Sequence, residues 1–149
     1  MKIKSLYLAH PWNMHEEVRQ WERYIERIYS INLDNPFFDH KQPEILEAEE
    51  KWIKQRKTRT EQLAKIIVEK DLRAIEKNDG IVAFLEYGMK SLGTPMEIFY
   101  SGRILQKPTY VISKEVGGHP WIKNLATKVF KTKQAFEDYL INSNKFDIK

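Results

Sequence analysis

Two carboxylates fall at positions where an acid needs an explanation, and Asp71 is the first. It lies four residues after Ile67 and four before Ile75, so helical geometry puts it on the apolar stripe of a helix. A carboxylate is costly to bury there unless it is paired, hydrogen-bonded or open to a cavity. The alternative is that the helix end shifts and turns Asp71 outward, beside Lys70 and Arg73. The spacing favours neither interpretation.

Glu97 is the second carboxylate, and the segment that contains it has the pattern of a helix start. Thr94 would be the N-cap, Pro95 the first helical residue, and Glu97 the acid that completes a capping box. A carboxylate in the first turn also feels the positive end of the helix, which favours the ionised form that a nucleophile needs. Spacing alone favours the capping role over the nucleophilic one.

Other residues that could bind a ligand are predicted in loops. Gly88 and Gly93 bracket a loop that contains Ser91 and could let a ligand approach the backbone, although the glycine-rich phosphate fingerprints are absent. Trp12 follows the first predicted strand and could stack on a planar ligand. The adjacent rings of Phe37-Phe38 are expected to line or cover something. The four histidines show no metal-ligand spacing, so no metal or other cofactor is predicted.

Composition narrows the classes of function. The chain has 149 residues and no cysteine, which excludes a disulfide framework, a thiolate metal site and a cysteine nucleophile. The net charge of +4 comes from interleaved acids and bases, so no polynucleotide partner is predicted. No apolar run approaches the roughly 20 residues of a membrane helix. We therefore expect a single domain over residues 1–149, without a membrane partner and cytoplasmic.

Short apolar segments alternate with amphipathic ones along the chain. Strands are predicted at residues 3–9, 30–34, 81–85, 109–112 and 128–130. Helices are predicted at residues 14–28, 44–59, 60–77, 94–106 and 133–141. This alternation predicts an α/β fold: a doubly wound, mostly parallel five-stranded sheet with helices on both faces, flavodoxin-like or Rossmann-like. Such folds bind ligands at the carboxyl ends of their strands.

Three segments of the chain resemble, in order, the motifs of nucleoside 2-deoxyribosyltransferases. The opening Tyr7-Leu8-Ala9-His10-Pro11-Trp12 is similar to the Y-L-A-x-P-aromatic motif of that superfamily. Residues 70–83 resemble its D-L-x-x-I…A-D-hydrophobic segment, and residues 91–108 resemble its G-T-x-x-E-L-G…G-K-P block. The resemblance therefore covers most of the chain.

The resemblance implies a mechanism. In this family a glutamate attacks the anomeric carbon of a 2'-deoxyribose and expels the nucleobase, and a second base then takes the sugar from the covalent intermediate. Glu97 matches the nucleophile, Asp71 the aspartate that handles the leaving base, and Tyr7 the tyrosine that orients the nucleophile. This chemistry parallels that of retaining glycosidases, so Glu97 should stay ionised, whereas Asp71 should be able to carry a proton. Substrate contacts are expected from His10, Trp12, Ser91, Gly93 and Thr94.

Departures from the family pattern leave the substrate open. Many transferases carry an aspartate six residues before the nucleophile, where this chain has Ser91. Ser91-Leu92-Gly93 is instead similar to 2'-deoxynucleoside 5'-monophosphate N-glycosidases, in which the serine helps to bind phosphate and water takes the sugar. Those hydrolases also have a Gly/Ser-rich phosphate loop, which His10-Pro11-Trp12-Asn13 does not match. The usual Leu-Gly after the glutamate is altered to Ile98-Phe99.

The sequence thus favours an enzyme that exchanges bases on 2'-deoxynucleosides, with monophosphate hydrolysis as the alternative. A catalytically silent nucleotide-binding module that keeps the fold is a second alternative. In each case the partner is a small-molecule nucleoside or nucleotide, and the resemblance implies nucleotide salvage. It also implies a homo-oligomer, because members of the family commonly complete their sites with residues from a neighbouring subunit.

Overall fold

Five parallel strands form the centre of the molecule, for which a computed structural model describes residues 1–39, 47 and 61–149. The strands are β1 (Ser5–Ala9), β2 (Asn32–Asp34), β3 (Gly80–Phe84), β4 (Thr109–Ile112) and β5 (Lys128–Phe130). Their order is β2-β1-β3-β4-β5, and every neighbouring pair is parallel. The order reverses between β1 and β3, which is the switch point of a doubly wound sheet. The predicted fold class is confirmed.

Helices cover both faces of this sheet. They are α1 (His15–Ile28), α2 (Glu61–Lys77), α3 (Gly93–Phe99), α4 (Pro120–Leu125) and α5 (Lys133–Asn142). Three single turns complete the description: 3-10 turns at Trp12–Met14 and Val116–Gly118, and a π-helical turn at Tyr100–Ile104 that continues α3. The helix predicted at residues 44–59 lies outside the described residues except at Glu47, which is helical.

The helix α4 was not predicted, although its start has a recognisable signal. Pro120 occupies the first turn, where its missing N–H is not needed, and the side chain of His119 accepts a hydrogen bond from the amide of Trp121. With six residues, α4 is too short to show an apolar repeat.

Alternate residues of the central strands point to opposite faces of the sheet, and the two faces bury different side chains. On what we call the aromatic face, Leu8, Val82, Phe84, Tyr110 and Ile112 pack with residues of α1 and α5. On what we call the site face, Tyr7, Ala9, Ile81, Ala83 and Val111 pack with residues of α2, α3 and α4. Burial on both faces explains why these strands read as nearly continuous apolar runs.

A lysine in the segment between α3 and β4 forms hydrogen bonds with the end of α2. The ammonium group of Lys107 donates hydrogen bonds to the carbonyls of Ile75, Glu76 and Asn78 at the end of α2. A cation at this end of a helix satisfies carbonyls that have no partner within the helix. Lys107 belongs to the motif block at residues 91–108, so this part of the block has a structural role.

A close backbone contact also fixes the start of β3 against β4. A Cβ atom on Gly80 would lie 2.3 Å from the carbonyl oxygen of Pro108. Only glycine fits there without movement of the backbone.

In the described part of the chain, none of the helices has the length and apolar composition needed to span a membrane.

Candidate active site

Three of the predicted site residues come together on the site face. The hydroxyl of Tyr7, on β1, donates a 2.8 Å hydrogen bond to Oε1 of Glu97, on α3. Asp71, on α2, lies near enough for its charge to act on both of these groups. Three elements that are distant in sequence therefore bring one phenol and two carboxyl groups to a single place.

Tyr7 is a hydrogen-bond donor that keeps its proton. Its side chain is fully buried, and burial raises its pKa well above the usual 10, with further increases from the charges of Glu97 and Asp71. A phenol in this state keeps its proton near neutral pH and cannot serve as a base, because burial and the nearby carboxyl groups disfavour its ionised form. Its position suits it to hold the carboxylate of Glu97 in one orientation.

Glu97 is protonated more readily than an ordinary glutamate. Burial of its carboxyl group and then the charge of Asp71 raise its pKa to about 8, although the hydrogen bond from Tyr7 and the charge of Lys70 act in the opposite direction. Below this pH, Glu97 carries a proton in the ligand-free site. The expectation that Glu97 stays ionised is therefore wrong at neutral pH, because burial and a like charge outweigh the stabilising groups.

The start of α3 also differs from its prediction. The helix begins at Gly93 with Leu92 as the N-cap, so Glu97 lies beyond the first turn. The amide of Thr94 donates to the hydroxyl of Ser91 at 3.3 Å, and that hydroxyl lies 3.1 Å from Oγ1 of Thr94. The predicted capping box is therefore wrong. The hydroxyl of Ser91 accepts the hydrogen bond of the Thr94 amide at the start of the helix, and the carboxyl group of Glu97 accepts one from Tyr7 instead.

Three predicted substrate contacts thus lie at the start of α3 and differ in their surroundings. Ser91 is half-buried, Thr94 is 2% exposed, and both hydroxyls belong to the turn that begins the helix. Gly93 is exposed, and a Cβ atom there would meet nothing within 4 Å. Close backbone packing therefore does not explain a glycine at this position.

Asp71 lies within α2, which continues to Lys77, and its charge acts on Tyr7 and Glu97. The helix end therefore does not shift at Asp71, although its carboxylate does lie beside Lys70, as the outward alternative expected. Its side chain is 24% exposed, and its Oδ1 lies 3.3 Å from the ammonium group of Lys70. A lysine that is itself mostly buried thus accompanies the second carboxylate of the site.

His10 and Trp12 belong to an aromatic cluster beyond the end of β1. His10 is 4% exposed, its Nδ1 lies 3.0 Å from the carbonyl oxygen of Leu8, and burial lowers its pKa to about 4. Its Nε2 is buried without a hydrogen-bond partner among the described residues. The ring of Phe37 meets the rings of His10 and Trp12 edge-on, at centroid distances of 5.0 and 5.1 Å.

The indole of Trp12 has one face occupied. It stacks on the imidazole of His15, with ring centroids 4.1 Å apart and planes inclined by 14°. With Phe37 packed on the same indole, Trp12 contacts two rings of its own chain, which leaves less of its ring surface for a planar ligand than the prediction supposed. Phe37 covers His10, as the prediction that the Phe37-Phe38 pair lines or covers something anticipates.

A buried polar network next to Phe37 was not predicted from the sequence. Glu22 is 1% exposed, accepts hydrogen bonds from Arg19 and Asn35, and has its pKa raised to about 7, chiefly by burial. Asn35 begins the turn that carries Phe37. A signal was available, because Glu22 lies four residues after Val18 and therefore on the buried side of α1.

Within the described residues, no three metal-ligating side chains form a cluster that could hold a metal ion. The groups available for chemistry on the site face are the phenol of Tyr7 and the carboxyl groups of Asp71 and Glu97. Together they provide a fixed donor, a half-buried carboxyl group with a raised pKa, and a second carboxyl group near it. Such a set can perform nucleophilic and acid–base catalysis.

No family model and no curated protein matches this chain. Among solved structures, it is similar to a 2-deoxyribosyltransferase from Bacillus psychrosaccharolyticus, with a TM-score of 0.67, 19% identity and 91% of each chain covered. It also matches a conserved protein from Enterococcus faecalis V583 with a TM-score of 0.46, at 12% identity over 85% of this chain and 81% of that one. This chain has the fold of a 2-deoxyribosyltransferase.

Proposed function

We propose that the protein cleaves the N-glycosidic bond of 2'-deoxynucleosides through Glu97 and transfers the sugar to a second base. The hydrogen bond from Tyr7 to Glu97 beside Asp71 is the observation that carries this proposal. It supplies an oriented carboxyl group and a neighbouring acid on the face of the sheet where the motifs converge. The shared fold with a 2-deoxyribosyltransferase supports it further.

In the first step, the ionised carboxylate of Glu97 attacks the anomeric carbon. Its Oε1 accepts the hydrogen bond from Tyr7, so Oε2 is the oxygen that forms the new bond. The bond between the anomeric carbon and the base nitrogen breaks, and its electron pair leaves with the base. In the second step, a nitrogen of the incoming base attacks the same carbon, loses its proton to the carboxylate of Asp71 and releases the carboxylate of Glu97, as the reverse of the first step.

One proton has to move in each step for this sequence to balance, and below about pH 8 the proton needed in the first step resides on Glu97. It must leave before the attack, and the departing base must gain one. We assign the transfer to Asp71, which takes the proton as Glu97 ionises and delivers it to the base. Tyr7 keeps its own proton throughout, because its pKa is far above the working range.

The test is to incubate the protein with a 2'-deoxynucleoside and a different free base, and to follow both nucleosides by liquid chromatography. We expect a new deoxynucleoside to form with the wild type and not with Glu97→Ala. Tyr110→Phe is the control, since Tyr110 is buried on the opposite face. A wild type that binds deoxynucleosides without releasing a base would refute the proposal and favour the silent nucleotide-binding module.

The segment Ser91-Leu92-Gly93 favours a second candidate, hydrolysis of 2'-deoxynucleoside 5'-monophosphates. The hydroxyl of Ser91 donates to Oγ1 of Thr94 and accepts from the amide of Thr94, so a phosphate would have to replace Thr94 as its acceptor. Release of free base from a monophosphate, with no exchange product when a second base is present, would replace transfer by hydrolysis. The homo-oligomer, the salvage role and the cytoplasmic location stay predictions under either candidate.

A further inference from the structure

The aromatic face carries a cavity that the proposed reaction does not use. It has a volume of about 470 Å³ and opens beside the starts of α1 and α5, over the carboxyl ends of β3 and β4. Phe84 and Ile112 form part of its wall, and both belong to the core of the aromatic face. Phe84 and Ile112 lie on the face of the sheet opposite to Tyr7, whereas Glu86 and Met89 belong to the segment between β3 and α3. Small-molecule sites have volumes of about 300 to 1,000 Å³.

One part of the cavity wall is apolar. It consists of the side chains of Met14, Phe84, Met89 and Ile112. Methionine side chains are flexible and polarizable, so they adapt to ring systems and short chains of different shapes. This wall suits the apolar body of a ligand.

The charged groups of the cavity are mostly cationic. Three lysines line it, Lys114, Lys131 and Lys133, against two acids, Glu17 and Glu86. The acids are engaged: Glu17 pairs with Lys133, and Glu86 accepts a hydrogen bond from the backbone amide of Lys114.

Two of these ammonium groups are available to a ligand. Among the described residues, no carboxylate lies within 4.0 Å of the ammonium groups of Lys114 and Lys131. Both side chains belong to exposed residues at the rim of the cavity. The cavity thus combines an apolar wall with a positive rim.

We infer that this cavity is a second ligand site, which binds a small organic anion with an apolar body. The body lies against the methionines, Phe84 and Ile112, and the anionic group, a phosphate or a carboxylate, lies between Lys114 and Lys131. Lysine binds such groups as a point charge without demanding one geometry. Neither the apolar wall nor the two ammonium groups alone would select such a molecule, because each attracts only one half of it.

The inference is tested by isothermal titration calorimetry at low ionic strength with three probes. The first is 1-naphthyl phosphate, 1-naphthol has the same body without the charge, and inorganic phosphate has the charge without the body. We expect 1-naphthyl phosphate to bind about tenfold more tightly than either of the others, since it uses both halves of the cavity. Equal affinity for all three probes, or no binding of 1-naphthyl phosphate, overturns the inference.

A pair of double variants locates the charged half. Lys114→Met with Lys131→Met keeps the length of both side chains and removes their charges. It should weaken 1-naphthyl phosphate about tenfold, at the upper end of what two exposed ionic contacts contribute, and leave 1-naphthol unchanged. Lys4→Met with Lys123→Met removes the same net charge outside the cavity and should change neither affinity more than about twofold. Equal losses of affinity in the two double variants would show that only the net charge of the protein affects binding, and would overturn the inference.

Two further measurements separate this cavity from the site of Glu97. The variant Glu97→Gln should bind 1-naphthyl phosphate as the wild type does, because Glu97 lies on the other side of the sheet. In amide NMR spectra, the probe should shift the signals of Ser113, Thr132 and Gln134, which line the cavity, more than that of Gly93. Loss of binding in Glu97→Gln, or a largest shift at Gly93, would place the probe on the site face and refute the inference.

Discussion

Two tyrosines in the central sheet are buried to the same extent but have different surroundings. Tyr7 and Tyr110 are both fully shielded from solvent, on opposite faces of the sheet. Tyr7 donates a hydrogen bond to Glu97 and lies within the field of two carboxyl groups. Tyr110 is surrounded by four aromatic rings at centroid distances of 5.6 to 6.3 Å: Phe130, Phe136, Tyr139 and Phe146.

The difference indicates that the two faces contribute differently to stability and to chemistry. Packed rings add about 0.5–1.5 kcal/mol per pair beyond their burial, so the aromatic face stabilises the protein. A buried carboxyl group with a raised pKa does the reverse at neutral pH, because the fold disfavours its ionised form. The site face therefore contains a potentially reactive carboxyl group that lowers the stability of the fold at neutral pH. Variants on the two faces should separate activity from stability.

The largest expected effect is the loss of activity in Glu97→Gln. The side chain keeps its shape but cannot form the sugar–enzyme bond, so base exchange should fall by at least about a thousandfold. Tyr110→Phe should keep activity within about threefold, because it changes one hydroxyl on the opposite face. Chromatographic rates for both variants test the comparison. An active Glu97→Gln would remove Glu97 as the nucleophile.

The same variant should change how stability depends on pH. The pKa of Glu97 is raised from 4.5 to about 8, so between these values the folded state binds more protons than the unfolded state. Glu97 should therefore make the free energy of unfolding fall as the pH rises from about 4.5 to about 8. Glu22 contributes in the same direction up to about 7, whereas His10, whose pKa is lowered to about 4, contributes in the opposite direction up to about 6.5. Urea unfolding should show a weaker fall in Glu97→Gln. An unchanged pH dependence would contradict the raised pKa.

On the aromatic face, Phe136→Ala should lower the free energy of unfolding by about 3–5 kcal/mol. Phe136 is fully buried and packs against Trp21, Tyr110 and Phe130, so its removal leaves a cavity among rings. Urea unfolding at pH 7 measures the change. The fraction that stays folded should keep the KM of the wild type. A large rise in KM with little loss of stability would reverse the roles assigned to the two faces.

Asp71→Asn should lower the pKa of Glu97 from its value of about 8. The charge of Asp71 is the second largest cause of the raised pKa, and asparagine removes that charge with little change of shape. Carbon-13 NMR of the glutamate carboxyl groups measures the titration without requiring activity. Asp138→Asn on the surface of α5 is the matched control and should leave the titration of Glu97 unchanged. A rise after Asp71→Asn would contradict the arrangement.

Tyr7→Phe should produce a smaller change in the opposite direction. The hydrogen bond from Tyr7 stabilises the ionised form of Glu97, so its loss should raise the pKa of that carboxyl group further. In the wild type, log kcat/KM should fall as the pH rises above about 8, because the proton that Asp71 delivers to the base is then lost, and in Tyr7→Phe this limb should move to higher pH. Tyr110→Phe should leave the limb in place. A shift of equal size in both variants would show that the hydroxyl acts through packing.

The strands could be predicted closely because a strand buried on both faces is a nearly continuous run of apolar residues. The predicted segment 109–112 coincides with β4, and the segment 128–130 coincides with β5. The helix α1 was predicted one residue early, since its apolar repeat begins before its first helical turn. Segments whose character depends on local periodicity were thus accessible from the sequence.

Features set by distant contacts could not be predicted in the same way. The hydrogen bond between Tyr7 and Glu97 joins residues 90 positions apart, so no local pattern indicated that it would replace a capping box. The raised pKa of Glu97 likewise depends on burial beneath other elements and on a charge from α2. The membership of Asp71 and Glu97 in one site was implied by the resemblance, whereas their ionisation required the three-dimensional arrangement.

The short strands at the borders of the sheet have a consequence for aggregation. β2 and β5 contain three residues each and form its two edges. An edge strand offers unpaired backbone groups to which another chain can add, and a long, flat edge favours fibre growth. Edges of three residues offer few such groups. Crowding many copies together should therefore not extend this sheet from one molecule to the next.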